Sequence, residues 1–137
     1  MAVISEIITA SKGRLSFGDY ESEEKRKITG FELDGNLYNV KTHRLVTRLE
    51  KNSGLLLETV PGSTVHNLEV SDDVCEFAIE GYEDSQITME LESSVDYKIY
   101  VNNLQVGLTT SSKSGKISFS LELEKNAKKV RIVKFHA

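Results

Sequence analysis

Residues 116–124, KISFSLELE, constrain the fold more than any other stretch. Ile117, Phe119, Leu121 and Leu123 alternate with Ser118, Ser120, Glu122 and Glu124. Successive side chains of an extended strand point to opposite faces, so this spacing gives one dry side and one wet side. A helix would scatter the same four apolar residues around its circumference. Residues 96–108, DYKIYVNNLQVGL, repeat the pattern: Tyr97, Ile99 and Val101 precede an Asn-Asn pair, and Leu104, Val106 and Leu108 follow it. Asparagine tolerates the positive φ of a tight reversal, which predicts a two-residue hairpin at Asn102–Asn103. The runs VCEFAIE, QITMEL and VRIVKF supply further strands, with turns at SSKSGK and EKNAKK. The second half of the chain is β.

The first half carries the same signals with more noise. Asp34–Gly35 between two apolar runs predicts a hairpin. HRLVTRLEKNSGLLLETV reads as another, with KNSG at its tip and Gly54 supplying the reversal. RLSFGDYE reads as a strand. ESEEKRK fits either one helical turn or a solvated loop, and ISEIITA suits a helix by spacing and a strand by its β-branched residues. Short strands with turns every 8–12 residues predict an all-β fold, an antiparallel β-sandwich or a partly open barrel. Residues 1–137 form one β domain on this reading, open to subdivision into packed halves 1–71 and 72–137 at the SDD junction. At 137 residues the chain buries enough surface to fold without a disulfide or a metal.

Charge divides along the chain. Nine carboxylates lie between Asp72 and Asp96 with no Lys or Arg among them, and seven basic residues follow from Lys113. Opposite charges facing one another across strands are the favoured reading of this pattern, with a basic strip for an anionic partner as the alternative. A net charge of −4 and the lack of a basic face argue against nucleic acid as a partner. No apolar run approaches the length of a membrane span. The N-terminal stretch lacks the early positive charge of a secretory signal, and the single Cys75, in an apolar run, reads as a buried thiol. These features predict a cytoplasmic protein.

Catalytic motifs are missing. There is no nucleophile elbow, no phosphate loop, and no basic setting for the cysteine. Two arrangements stand as binding candidates. In THRLVTRLE, alternation places Arg44, Val46, Arg48 and Glu50 on one face and His43, Leu45, Thr47 and Leu49 on the other. Arg44 and Arg48 can grip a carboxylate or phosphate, with Tyr38 nearby, although pairing with carboxylates of a neighbouring strand is the commoner outcome for such arginines. The second is VPGSTVHN. Gly54, Pro61, Gly62 and His66 resemble the Gly…Pro-x-Gly-x-x-His stretch of metal-binding cupin barrels, with the second glycine one residue early. That resemblance implies a histidine on an inner wall. His43, His66 and His136 are the only histidines available, and metal sites need three or four ligands in compatible geometry. A Pro-Gly corner followed by a structural histidine is the favoured reading, so no cofactor is expected.

The runs LSFGDYE, ITGFELDGNLYNVKTH and LETVPGSTVHNLEV resemble a family of short bacterial proteins labelled "endosialidase". Taken literally, the label implies cleavage within polysialic acid. Sialidase chemistry is associated with large β-propellers, an arginine triad and a Tyr/Glu nucleophile pair. This chain is too short for a propeller, and no motif assigns three of Arg14, Arg26, Arg44, Arg48 and Arg131 to one pocket. The expectation is therefore a non-enzymatic interaction module that binds a protein partner or a second copy of itself through a sheet edge. The alternative is a carbohydrate- or small-anion-binding sandwich that uses Tyr38, His43, Arg44, Arg48 and His66. A cupin-like metal enzyme ranks last.

Overall fold

The computed structural model describes residues 6–135 and contains no helix among them. It therefore holds no helix long and apolar enough to cross a membrane. Thirteen strands form two antiparallel sheets of a β-sandwich. The seven-stranded sheet has the order β1 (Ile8–Ser11), β2 (Arg14–Phe17), β7 (Ser63–Val70), β8 (Val74–Gly81), β13 (Lys128–Phe135), β10 (Asp96–Val101), β11 (Leu104–Thr110). The six-stranded sheet runs β12 (Lys116–Leu121), β9 (Ser85–Glu90), β6 (Gly54–Val60), β5 (Val46–Lys51), β4 (Asn36–His43), β3 (Arg26–Leu33). Neither sheet closes on itself, so the architecture is a sandwich and not a barrel. Strands from both sides of residues 71–73 are hydrogen-bonded neighbours in both sheets.

Local chemistry sets the hairpins. Lys12–Gly13, Asp34–Gly35, Asn52–Ser53 and Asn102–Asn103 each have positive φ at both residues. This is the turn whose twist matches that of the flanking strands. At the β5–β6 tip the reversal is made by Asn52 and Ser53, and Gly54 is the first residue of β6. Residues 21–25 of ESEEKRK form an irregular loop, Arg26 and Lys27 begin β3, and the described part of ISEIITA enters β1.

Register then builds the interior. Val40, Leu49, Leu57, Met89 and Ile117 lie in one row across β4, β5, β6, β9 and β12, each at most 2% exposed. Cys75, Ile132 and Ile99 form a row of the opposing sheet. Ile117, Leu121 and Leu123 are buried, and Phe119 packs against the core, as their alternation predicts.

The chain passes from β6 in one sheet to β7 in the other through Pro61 and Gly62 alone. A Cβ on Gly62 would lie 2.0 Å from the His43 carbonyl oxygen, so only glycine fits. Buried hydroxyls fix the corner. Thr47 Oγ1 donates to the Ser63 carbonyl at 2.8 Å and accepts from the Ser63 amide at 3.0 Å. Because the Thr47 proton is engaged, Thr42 Oγ1 donates to Thr47 at 2.8 Å while accepting from the Asp19 amide at 2.8 Å. Thr59 and Ser63 hydroxyls meet at 2.7 Å, and Thr64 donates to the Gly18 carbonyl at 3.1 Å. All five side chains are fully buried, and no buried side-chain N or O atom among the described residues is without a partner.

Thr47→Val keeps the shape and strands three buried polar groups, so it should lower the unfolding free energy by about 2–4 kcal/mol in a urea titration. Thr29→Val, at an exposed position, should change it by less than about 0.5 kcal/mol.

Candidate functional site

The VPGSTVHN stretch is a corner with a structural histidine attached. Val65 points into the core, so His66 and Thr64 project from the other face of β7, as does Glu80, which pairs with Thr64. Glu80 is nonetheless 1% exposed, because the chain leaving β2 folds over it. Its Oε2 accepts from the Tyr20 hydroxyl at 2.9 Å, and its Oε1 lies 2.6 Å from His66 Nε2. Tyr82 stacks on Tyr20 with centroids 6.3 Å apart. The Tyr82 hydroxyl donates to the Arg44 carbonyl at 2.9 Å, and the Arg44 guanidinium lies over the Tyr82 ring. Burial, then the Glu80 carboxylate, push the Tyr20 phenol well above its ordinary value of 10.0, so it stays a neutral donor. Of the three linked groups only His66 reaches solvent, with a quarter of its side chain exposed. The arrangement clamps the Tyr20 loop onto β7 and β8 and leaves Tyr20 and Glu80 no exposed face for a substrate.

The sequence candidates do not assemble into one site. Tyr38 faces inward on β4 and is 7% exposed. His43 ends β4, buried, with its carbonyl against Gly62. Arg44 lies in the two-residue turn between β4 and β5, not on the strand that carries Arg48. Arg48 pairs with Glu58 on the neighbouring strand at 2.9 Å and with Glu50 at 3.2 Å, and its pKa is raised, chiefly by Glu58. The remaining arginines sit apart with partners of their own: Arg14 with Glu69, Arg26 with Asp19, and Arg131 over the Tyr100 ring. Among the described residues no three His, Cys, Asp or Glu side chains are grouped to hold a metal ion; His136 lies outside them.

At the opposite end from this corner, a cleft of about 580 Å³ opens between the β5–β6 hairpin and the β7–β8 turn. Leu56, Cys75, Tyr97 and Ile132 line its depth, with Lys51, Glu90, Glu92 and Lys134 among the polar residues. Lys134 is ion-paired with Glu92. Burial first, then Glu76, push the Cys75 thiol from 9.0 up to about 12, so the one sulfur in the cleft is a protonated thiol and not a nucleophile.

The most exposed apolar surface on a strand is elsewhere. Leu104, Val106 and Leu108 on β11 are 69%, 56% and 61% exposed. Alternation in NLQVGL suggests an inward-facing set, yet β11 contributes no residue to the core. A bulge between Ile99 and Tyr100 of its partner strand breaks the alternation, pairing Gly107 with Ile99 and leaving Val106 opposite no residue of β10. β11 is also an outermost strand, with one side of its backbone unpaired by any described strand. The other long edges carry the charges that discourage pairing: Arg26, Lys27 and Glu32 on β3, and Lys116 on β12. β1 is four residues long. The seven residues of β11, LQVGLTT, hold neither a charge nor a proline, and the bulge is their one protection.

Comparison with protein-family models, with curated proteins and with solved structures finds no match to this chain.

A group whose folded pKa is raised contributes stability that is full below its ordinary pKa and drains away as the pH climbs past it. The Tyr20 contribution should therefore persist through neutral pH and fall off above about pH 10. Tyr20→Phe should cost about 1–3 kcal/mol at neutral pH and flatten the alkaline limb of a stability-versus-pH curve. Cys75 should resist iodoacetamide at pH 8 in the folded protein and react fully in guanidinium chloride.

Proposed function

We propose that this chain is a non-enzymatic β-sandwich module that docks an extended strand of a protein along the edge of β11. The observation that carries the reading is the coincidence on one strand of an unpaired backbone edge, three exposed aliphatic side chains and no charge. Strand addition uses these features: main-chain hydrogen bonds supply affinity, and side chains on alternate positions supply selectivity. Covering one aliphatic side chain fully is worth about 1.5–3 kcal/mol, and a partner strand that covers part of each adds to the ladder itself. The buried Tyr20 and Glu80 and the protonated Cys75 thiol support a binding role over a catalytic one. The proposed setting is the cytoplasm, where a lone reduced cysteine is at home.

Selection of random displayed peptides tests the module. Wild-type protein should enrich extended sequences with apolar residues at alternate positions. Bound peptide should slow amide exchange within residues 104–110, and Val106→Lys should abolish the enrichment. Failure to enrich any peptide, or protection mapped to another strand, would remove the reading.

A further inference from the structure

We infer that the strand received by β11 is the β11 of a second copy, the two chains joining antiparallel about a two-fold axis into one continuous sheet. This inference rests on the edge reading above and names its occupant.

Charge selects the occupant. In an antiparallel pair about a two-fold axis only the residue on the axis meets itself, and like charges directly opposite are destabilising. LQVGLTT has no ionisable side chain, so no register of such a pair sets like charges opposite one another within the strand. A strand shaped for a charged foreign segment would carry the complementary charge, and β11 carries none. Self-pairing also sets the aliphatic residue on the axis against its own copy.

Register identifies where the axis fits. Beyond the bulge, β11 pairs regularly with β10: Gly107 with Ile99, Leu108 with Lys98, Thr109 with Tyr97, and Thr110 with Asp96. The regular stretch thus spans 107–110, and an axis at Leu108 keeps the bulge out of its centre. Leu108 then meets Leu108 of the second copy, and Gly107 meets Thr109. The nearest cations in that row are the two Lys98 side chains. They lie three interstrand spacings apart, about 14 Å, which exceeds the screening length of roughly 8 Å at physiological salt. Each Lys98 ammonium also lies 4.3 Å from the Phe135 ring centroid of its own chain. No like-charge barrier therefore stands across the junction.

Residues 106–110 of β11, which pair about this axis, make a contact that is small beside interfaces burying about 800 Å² on each partner. The dimer should accordingly form in the micromolar range and not the nanomolar.

Sedimentation velocity on the full chain, across roughly micromolar to millimolar concentrations, should show a reversible monomer–dimer equilibrium. Leu108→Lys and Leu108→Glu should each weaken it at least tenfold, with far-ultraviolet spectra like the wild type because the position is exposed. Mixing the two variants should restore a heterodimer, since opposite charges then meet at the axis. A strictly monomeric wild type, or a mixture that stays monomeric, overturns the inference. If the wild type is monomeric yet displayed peptides still protect residues 104–110, the edge reading survives and the partner is another protein. If neither occurs, both readings fall together.

Discussion

The two sheets are held to one another at a corner where the chain has two residues, Pro61 and Gly62, in which to change sheets. So short a passage brings backbone from β4, β7 and the loop after β2 closer than side chains with a Cβ would allow. Gly62 against the His43 carbonyl and Gly18 against the Ser63 carbonyl mark the closest approaches, at 2.0 and 2.4 Å for an added Cβ. Amides and carbonyls at such a crossing leave their own ladders and must find partners away from water, where an unmet donor costs about 1–3 kcal/mol. Thr42, Thr47, Thr59, Ser63 and Thr64 are those partners. A hydroxyl both donates and accepts, which lets Thr47 serve one amide, one carbonyl and one neighbouring hydroxyl at once. Apolar residues of the same volume would fill the space and leave the crossing unsatisfied.

This constraint places the rest of that end of the molecule. With Gly18 pressed against Ser63, the chain beyond it has to run over the start of β7 and the end of β8. Tyr20 is then carried onto Glu80, and Tyr82 onto Tyr20. Glu80 becomes a buried carboxylate because a loop crosses it and not because its strand turns it inward. Its two oxygens are matched by Tyr20 and His66, as a charge at this depth requires.

The same distinction explains what the sequence discloses. Properties set by neighbours along one strand or one turn are legible: the rows through Ile117 and Leu57, the reversals at Asp34–Gly35 and Asn102–Asn103, and Cys75 as a buried thiol. The divided charge is legible as well. Glu76 stands opposite Arg131, Glu90 opposite Lys116, and Lys134 pairs with Glu92, so the acidic middle and basic end of the chain meet across strands. Properties set by a crossing are not legible. Glu80 alternates outward with Glu76 and reads as solvated, and nothing local announces the loop that covers it. Arg44 reads as a strand residue because HRLVTRLE alternates without a break, while the chain reverses at Arg44–Leu45 without glycine, asparagine or proline.

β11 departs from alternation in the opposite sense. Local pattern and turn chemistry both say that Leu104, Val106 and Leu108 belong to a buried face, and the hairpin at Asn102–Asn103 forms as expected. The bulge at Val106 then turns Leu108 to the face of Lys98, away from the core, while Leu104, opposite Val101, lies on a strand one past the core. In a chain whose other levels agree, a rule broken at one place marks strain or function. Strain does not account for it, because the hairpin turn and the regular pairing of Gly107 to Thr110 are ordinary. Cost does not remove it, because a single lysine at any of three positions would have blunted the edge as Lys27 and Lys116 blunt theirs. An apolar, uncharged edge beside charged ones is the feature on which the proposed docking of another chain rests.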